Sequence, residues 1–283
     1  MIKNSINNSP NQFSKSFNIV DYLWKNYNSK NKIISEKEFN DLLKKLDLKH
    51  LNKYGDSCLN LIFRNNTILN LPSSYFDYLI ENSDINNFDS TSKNLLFFVL
   101  INNKMKKLNL SNNQLDYLIK NTNLNTINHD QASPLIYAFL FNKAENLNLT
   151  DQQFNYLIKN SNLNQVDMGD FNSLMTALIT NKSEKLNLSN ENWLYLIDNS
   201  NLLQNSKTTH NSVLGLAIEF EPSLVDLIFP KIIKNKDFNP ADYANDKNFL
   251  KIKEMYQSHL TKDQINQQIK KADTSSFSKQ AKL

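Results

Sequence analysis

Apolar residues recur in one short motif down the chain: "YLIEN", "YLIKN", "YLIKN" and "YLIDN", with tyrosines at Tyr78, Tyr117, Tyr156 and Tyr195, each 39 residues after the last. In the third copy Phe154, Leu157 and Ile158 fall at i, i+3 and i+4, the stripe of an amphipathic helix over about Asp151 to Asn160. Ser111, Thr150 and Ser189 stand just before these runs, and Gln114 and Gln153 follow the first two by three residues. That spacing predicts a capping box, in which the hydroxyl accepts from an orphan backbone N–H and the Gln side chain reaches back. The runs stop at Asn82, Asn121, Asn160 and Asn199, where Asn is expected to close the helix in a left-handed conformation. A polar turn and a second apolar run follow each of them, as in "NLLFFVLINNK", "SPLIYAFLFNK", "NSLMTALITNK" and "SVLGLAIEF", with "SCLNLIFRNN" earlier. Each copy is therefore a helical hairpin, with helix A the apolar run and helix B the "YLI" run. A lone hairpin cannot bury both faces, so the copies must stack.

Taken alone, "LNLSNNQLDYL" from Leu108 fits the frame of a leucine-rich repeat. The period excludes it, because such repeats recur at roughly 20–29 residues. The aligned copies agree: Ser74, Gln152 and Glu191 stand where the frame's Asn113 is.

"NKYGDSCLNLI" (Asn52 to Ile62) and "NHDQASPLIYA" (Asn128 to Ala138) resemble the ankyrin signature D-x-x-G-x-T-P-L-H-x-A. Ser57 and Ser133 stand at its Thr, Pro134 at its Pro, and Leu59 and Leu135 at its Leu. Asn52, Asp89, Asn128 and Asp167 fall on the leading Asp, and Gly55 alone matches the first Gly. "LIENSDIN", "LIKNTNLN" and "LIKNSNLN" are similar to the family's L-L-x-x-G-A-D-V-N, with Asn for Gly. The resemblance covers roughly residues 17–235. It implies an all-α, ankyrin-like solenoid of about six stacked hairpins, whose extra residues per copy sit between helices A and B as "KKLNLS", "ENLNLT" and "EKLNLS". "NIVDYLW" at Asn18 reads as a first helix A, "SEKEFNDLL" at Ser35 as a first helix B, and "EPSLVDLIF" at Glu221 as the last helix B. The expected organisation is a flexible tail over 1–16, the array over 17–238, a capping helix over 239–260 and a polar tail over 261–283.

Composition narrows the function. Three Gly and six Pro in 283 residues favour helices. The net charge of +4 is small, and Arg64 is the sole Arg, poor material for nucleic-acid recognition. One Cys, Cys58, precludes an internal disulfide and points to a reducing compartment. No apolar run reaches the length of a membrane span. Asn, about one residue in six, is spread through the periodic segments. Neither a phosphate loop, a nucleophile motif, H-E-x-x-H nor a metal-spaced Cys pair occurs, so no catalytic residue, cofactor or metal is assigned. His50, His129, His210 and His259 are scattered; His129 and His210 read as turn residues. Cys58 aligns with Leu95, Pro134, Ser173 and Val213, the place of a buried structural residue, and the Tyr series reads as a packing ladder. The "NLS" and "NLT" triplets match a glycosylation sequon but arise from the cap motif. The ending "AKL" resembles a peroxisomal address, while the Asn- and Lys-rich ankyrin-like character resembles effectors of intracellular bacteria.

The reading is a non-catalytic scaffold that binds a protein or peptide, cytoplasmic or delivered to a host cell. The alternative is an enzyme with an active site in a groove or terminal region. The expected binding residues are Tyr54 and Asp56, Ser90 and Ser92, His129 and Gln131, and Asp170 and Phe171, in the turns before four successive A helices. Tyr54 and Phe171 are the expected aromatic anchors.

Overall fold

The structure is a computed structural model that describes residues 35–43, 48, 57–69, 71–88, 93–184 and 186–263. Five complete hairpins follow one another: α2 (Cys58–Leu69) with α3 (Tyr75–Asn82), α4 (Leu95–Asn102) with α5 (Asn112–Asn121), α6 (Pro134–Phe141) with α7 (Asp151–Asn160), α8 (Ser173–Glu184) with α9 (Asn190–Asn199), and α10 (Val213–Phe220) with α11 (Val225–Ile233). Before them α1 (Glu36–Leu43) is a B helix, capped reciprocally by Ser35 and Glu38. Its A helix, expected at "NIVDYLW", lies outside the described residues. After α11 a 3-10 turn (Pro240–Tyr243) leads to a last helix, α12, whose described part covers residues 249–263. Extended pairing among the described residues is limited to isolated bridges such as Asn205 with Ser212, and none of these helices is long and apolar enough to cross a membrane.

A helices pack on neighbouring A helices and B helices on neighbouring B helices, so the described residues form an all-helical solenoid of stacked hairpins with one continuous core. Leu59, Leu96, Leu135, Leu174 and Leu214, one residue into successive A helices, are fully buried. Each such Leu stabilises the stack by about 1.5–3 kcal/mol. The B helices bury the predicted stripe: Phe76, Leu79 and Ile80 in α3, and Phe154, Leu157 and Ile158 in α7.

The capping boxes form as read. Ser111 accepts from Gln114 N–H and Thr150 from Gln153 N–H, and both Gln side chains accept from the cap residue's N–H. The A helices are capped too: Ser57, Asn94, Ser133, Asn172 and Ser212 accept from the N–H three residues on.

The role expected of Asn82, Asn121, Asn160 and Asn199 is corrected. They are the last helical residues and do not take positive φ; their Nδ2 donates to the carbonyl of Tyr78, Tyr117, Tyr156 and Tyr195 at 2.8–2.9 Å. Left-handed residues are found in the A–B loops instead, at Lys107, Asn109, Asn146, Asn148 and Asn187 (φ 46–57°), and in the turns before A helices. The sequon-like Asn thus belongs to a backbone conformation that Asn tolerates better than most residues.

Asn side chains also join the repeats. Asn86 Oδ1 accepts from Asn123 N–H, Asn125 Oδ1 from Asn162 N–H and Asn164 Oδ1 from Asn201 N–H, each bond crossing to the next hairpin. At the far ends of the A helices, Asn66, Asn103, Asn142 and Asn181 accept from loop N–H groups of Leu71, Leu110, Leu149 and Leu186. Asn66 and Asn103 are buried, and their Nδ2 groups also donate to carbonyls of the next repeat, Lys106 and Glu145, so these paired amides help set the register of the stack.

Candidate protein-binding face

α6, α8 and α10 are each entered through a finger-like turn that the turn's first residue holds together. Asn128 Oδ1 accepts from Asp130 N–H (3.0 Å) and Ala132 N–H (3.1 Å). Asp167 Oδ1 accepts from Gly169 N–H (2.8 Å) and Phe171 N–H (3.0 Å). Ser206 does the same work with a hydroxyl, accepting from Thr209 N–H at 3.2 Å. The backbone then turns left-handed at Gln131 (φ 59°), Asp170 (φ 62°) and His210 (φ 57°), the place of Gly55 in the earlier copy. A non-Gly residue there costs about 1–2 kcal/mol, offset by the bonds inside the turn. Successive turns are fastened together: Met168 N–H donates to the Asp130 carbonyl, Gln165 Nε2 to that of Gln131, Gln204 Nε2 to that of Asp170, and Ser206 Oγ to that of Gly169. The fingers form one ribbon with a fixed backbone and variable side chains.

Of the predicted residues, the structure brings four into this ribbon. His129 is 57% exposed at its side chain, its Nε2 3.2 Å from Asp130 Oδ1. Gln131 is exposed. Asp170 is half-buried, with Oδ2 accepting from Lys207 N–H at 3.3 Å. Phe171 is half-buried too, its ring packed against the core. A Cβ on Gly169 would come within 2.8 Å of that ring, so Gly169 leaves the space the ring fills. Tyr54, Asp56, Ser90 and Ser92 lie outside the described residues.

Behind the fingers the A helices add a surface that the sequence reading missed. Tyr137 is buried at the base of its finger, donating to Asp130 Oδ2 and accepting from Asn128 Nδ2, both at 2.7 Å. Burial and the Asp130 bond push its hydroxyl up to about 12. One turn further on the same helix face stands Leu140, 40% exposed, with Phe141 stacked on Tyr137. Ile101 and Ile179, six residues into α4 and α8, take Leu140's place and are half-buried. Arg64 fills that place in α2 and Glu219 in α10, so an apolar stripe runs across three hairpins between charged ends. At one end Lys247 pairs with Glu219, and Lys182 Nζ sits 4.4 Å from the centre of the Phe220 ring. Met168, 66% exposed on its finger, is a further missed residue. Since α6 is apolar at nearly every position, periodicity gave no signal for its exposed side. The signal available was repetition: the seventh residue of the A helix is aliphatic in three consecutive copies.

The other chemistry is structural. Cys58 is buried at the start of α2. Tyr156 donates to the Lys120 carbonyl across hairpins at 3.4 Å and is half-buried, as is Tyr195, whereas Tyr78 and Tyr117 are exposed, so the Tyr series packs at its C-terminal members. Among the described residues, no three His, Cys, Asp or Glu side chains are placed to hold a metal ion.

No family model matches this sequence, and no curated protein matches it. Among solved structures it is similar to an ankyrin repeat domain from Acinetobacter baumannii AYE, at 16% identity over 74% of this chain and 97% of that one, with a TM-score of 0.48. It is also similar to another ankyrin repeat protein, at 15% identity over 76% of this chain and 99% of that one, with a TM-score of 0.48.

Proposed function

We propose that this chain is a non-catalytic scaffold that binds a protein or peptide along the fingers and the exposed stripe of the A helices. The observation that carries the reading is the division of labour in the fingers. The backbone bonds of Asn128, Asp167 and Ser206 repeat, while the outward side chains do not. A uniform frame bearing variable side chains next to the apolar row of Ile101, Leu140 and Ile179 suits an extended apolar ligand that makes many moderate contacts. Met168 and His129 lie on the finger side of that row, and Tyr54, Asp56, Ser90 and Ser92 extend it in the sequence of the earlier copies. Phe171 contributes through its exposed edge while holding its finger in shape.

The test is selection of peptides from a random display library against the full chain. Ligands so selected are expected to weaken at least about tenfold, or 1.4 kcal/mol, on Leu140→Arg and on Met168→Asp, and to be unaffected by Tyr117→Ala on a B helix. Ligands insensitive to both former changes would place recognition elsewhere.

A further inference from the structure

The loops that follow the A helices carry a row of lysines at the edge of the stack opposite the fingers. Lys104, Lys143 and Lys182 each come directly after the Asn that holds its loop (Asn103, Asn142 and Asn181), and all three are exposed. Successive hairpins are bonded to one another along this edge. Asn66 Nδ2 donates to the Lys106 and Lys107 carbonyls (both 3.2 Å), and Asn103 Nδ2 to that of Glu145 (3.3 Å). The lysines therefore form one ridge with a fixed backbone. It is densest after α4, where Lys104, Met105, Lys106 and Lys107 follow one another and Met105 is 65% exposed.

The ridge keeps its charge. Elsewhere Lys120, Lys159, Lys231 and Lys247 pair with Asp116, Glu191, Asp198 and Glu219. Among the described residues no carboxylate pairs with Lys104, Lys106, Lys107 or Lys143. The one acid in the loops after α4 and α6, Glu145, is buried, and its Oε2 accepts from Lys104 N–H (2.8 Å) and Met105 N–H (3.3 Å). It fixes the loop backbone and leaves the ammonium groups uncompensated. Lys107 adds a second sign. Its φ of 54° is left-handed, a conformation that Asn tolerates better, and Asn146 takes the same place in the next loop at φ 57°. In a chain with Asn at about one residue in six, a Lys held in a conformation it resists marks a charge with a use, since backbone strain gathers at functional sites.

We propose that this ridge docks the chain on the surface of an anionic phospholipid bilayer. Charge argues against the chain's own ends as its cover: residues 1–34 hold five Lys and one Asp, residues 264–283 four Lys and one Asp, and like charges repel. Two features favour a bilayer over an acidic protein. The ridge is made of Lys, whose compact charge needs no paired geometry and suits a diffuse sheet of headgroups. Met105, an exposed apolar side chain set among lysines, suits the boundary between headgroups and acyl chains, where apolar and basic contacts add. The ridge and the fingers lie at opposite ends of the A helices, so a chain docked in this way keeps its finger face open to a partner.

The test is co-sedimentation of the full chain with phosphatidylcholine vesicles containing about one part in three of phosphatidylserine, at low salt. Binding is expected to these vesicles and not to phosphatidylcholine alone, and it should fall as added salt screens the charges. Lys104→Gln, Lys107→Asn and Lys143→Gln together should weaken it at least about tenfold, and Met105→Ser at least about threefold, with circular dichroism and unfolding midpoint no lower than in the wild type. Lys120→Gln, Lys159→Gln and Lys231→Gln together remove the same charge from the B helices and should weaken it less than about twofold. The proposal is overturned if the anionic vesicles do not bind the chain, or if the two triple variants weaken binding alike, because net charge alone is then at work. It is equally overturned if the chain binds polyglutamate but not the vesicles, which would make the ridge a site for acidic protein.

Discussion

Cys58, the single thiol, shows how burial alone fixes a residue's chemistry. Its sulfur is enclosed at the head of α2, and desolvation pushes its pKa from 9.0 up to about 12. The native thiol is therefore protonated near neutrality and unreactive, since the thiolate is the nucleophile. An aromatic disulfide reagent at pH 8 should modify the native chain slowly and the denatured chain at once. The sign of the pH dependence follows. The folded chain keeps a proton that the unfolded chain releases above about pH 9.0. The resulting stability is whole below that pH and is lost as pH rises toward about 12. Tyr137 and Tyr243, also raised by burial to about 12, act the same way from a higher starting point. Cys58→Ala should therefore give a shallower fall of the unfolding midpoint between pH 9 and pH 11. Equal slopes would refute the assignment. The burial of Cys58 was legible in the sequence because the aligned residues Leu95, Pro134, Ser173 and Val213 share its place. The half-burial of Phe171 was not, because it depends on the space left by Gly169, which only the folded turn reveals.

At the scale of the element, one residue type does two opposite jobs, and substitution separates them. Asn148 has φ 49°, whereas Asn160 ends α7 in ordinary helical geometry and bonds back to Tyr156. Asn148→Val should cost about 1–2 kcal/mol in urea unfolding, and Asn148→Gly close to nothing, because only the first brings a side chain that the left-handed backbone resists. Asn160→Gly should destabilise instead, by roughly 0.5–1 kcal/mol, as Gly does inside a helix. The neighbouring cap gives an internal scale: Thr150→Ala removes the hydroxyl that accepts from Gln153 N–H and should cost about 1 kcal/mol. If Asn160→Gly stabilises and Asn148→Gly does not, the two roles are reversed. The hairpins and their capping boxes were readable because hydroxyl, Gln and apolar stripe occur at fixed offsets. The division of labour among the Asn was not, because Asn suits both a left-handed turn and a bond to the carbonyl four residues back. The stripe of Ile101, Leu140 and Ile179 escaped for a related reason: in a helix buried on most sides, an exposed leucine looks like the rest.

The whole molecule is built of neighbours, and that makes its length adjustable in one specific unit. The Asn86–Asn123, Asn125–Asn162 and Asn164–Asn201 bonds each join one hairpin to the next, and the same holds for Gln114, Gln153 and Asn192 on the B side. Among the described residues the side-chain bonds named join neighbouring hairpins, so stability is close to a sum over hairpins and their interfaces. Removing residues 134–172 joins Ser133 to Ser173, and the repeat then reads on in register. Ser133 caps α8 in place of Asn172, Asn125 meets Asn201 in place of Asn162, and Leu174 takes the core site of Leu135. What is lost is one hairpin with one set of interfaces, including the edge contact of Phe97 with Tyr137, whose place Thr176 takes. The shortened chain should therefore fold, with helical signal per residue nearly unchanged and a lower but still cooperative unfolding midpoint. Removing residues 134–162 instead leaves the chain out of register, so that neither cap, Asn bond nor core Leu finds its partner, and that variant should lose cooperative unfolding altogether. If the two deletions are equally damaging, the hairpins are not interchangeable units and the stacking account fails; if only the second is, the 39-residue spacing seen in the tyrosines is the unit in which this fold is assembled.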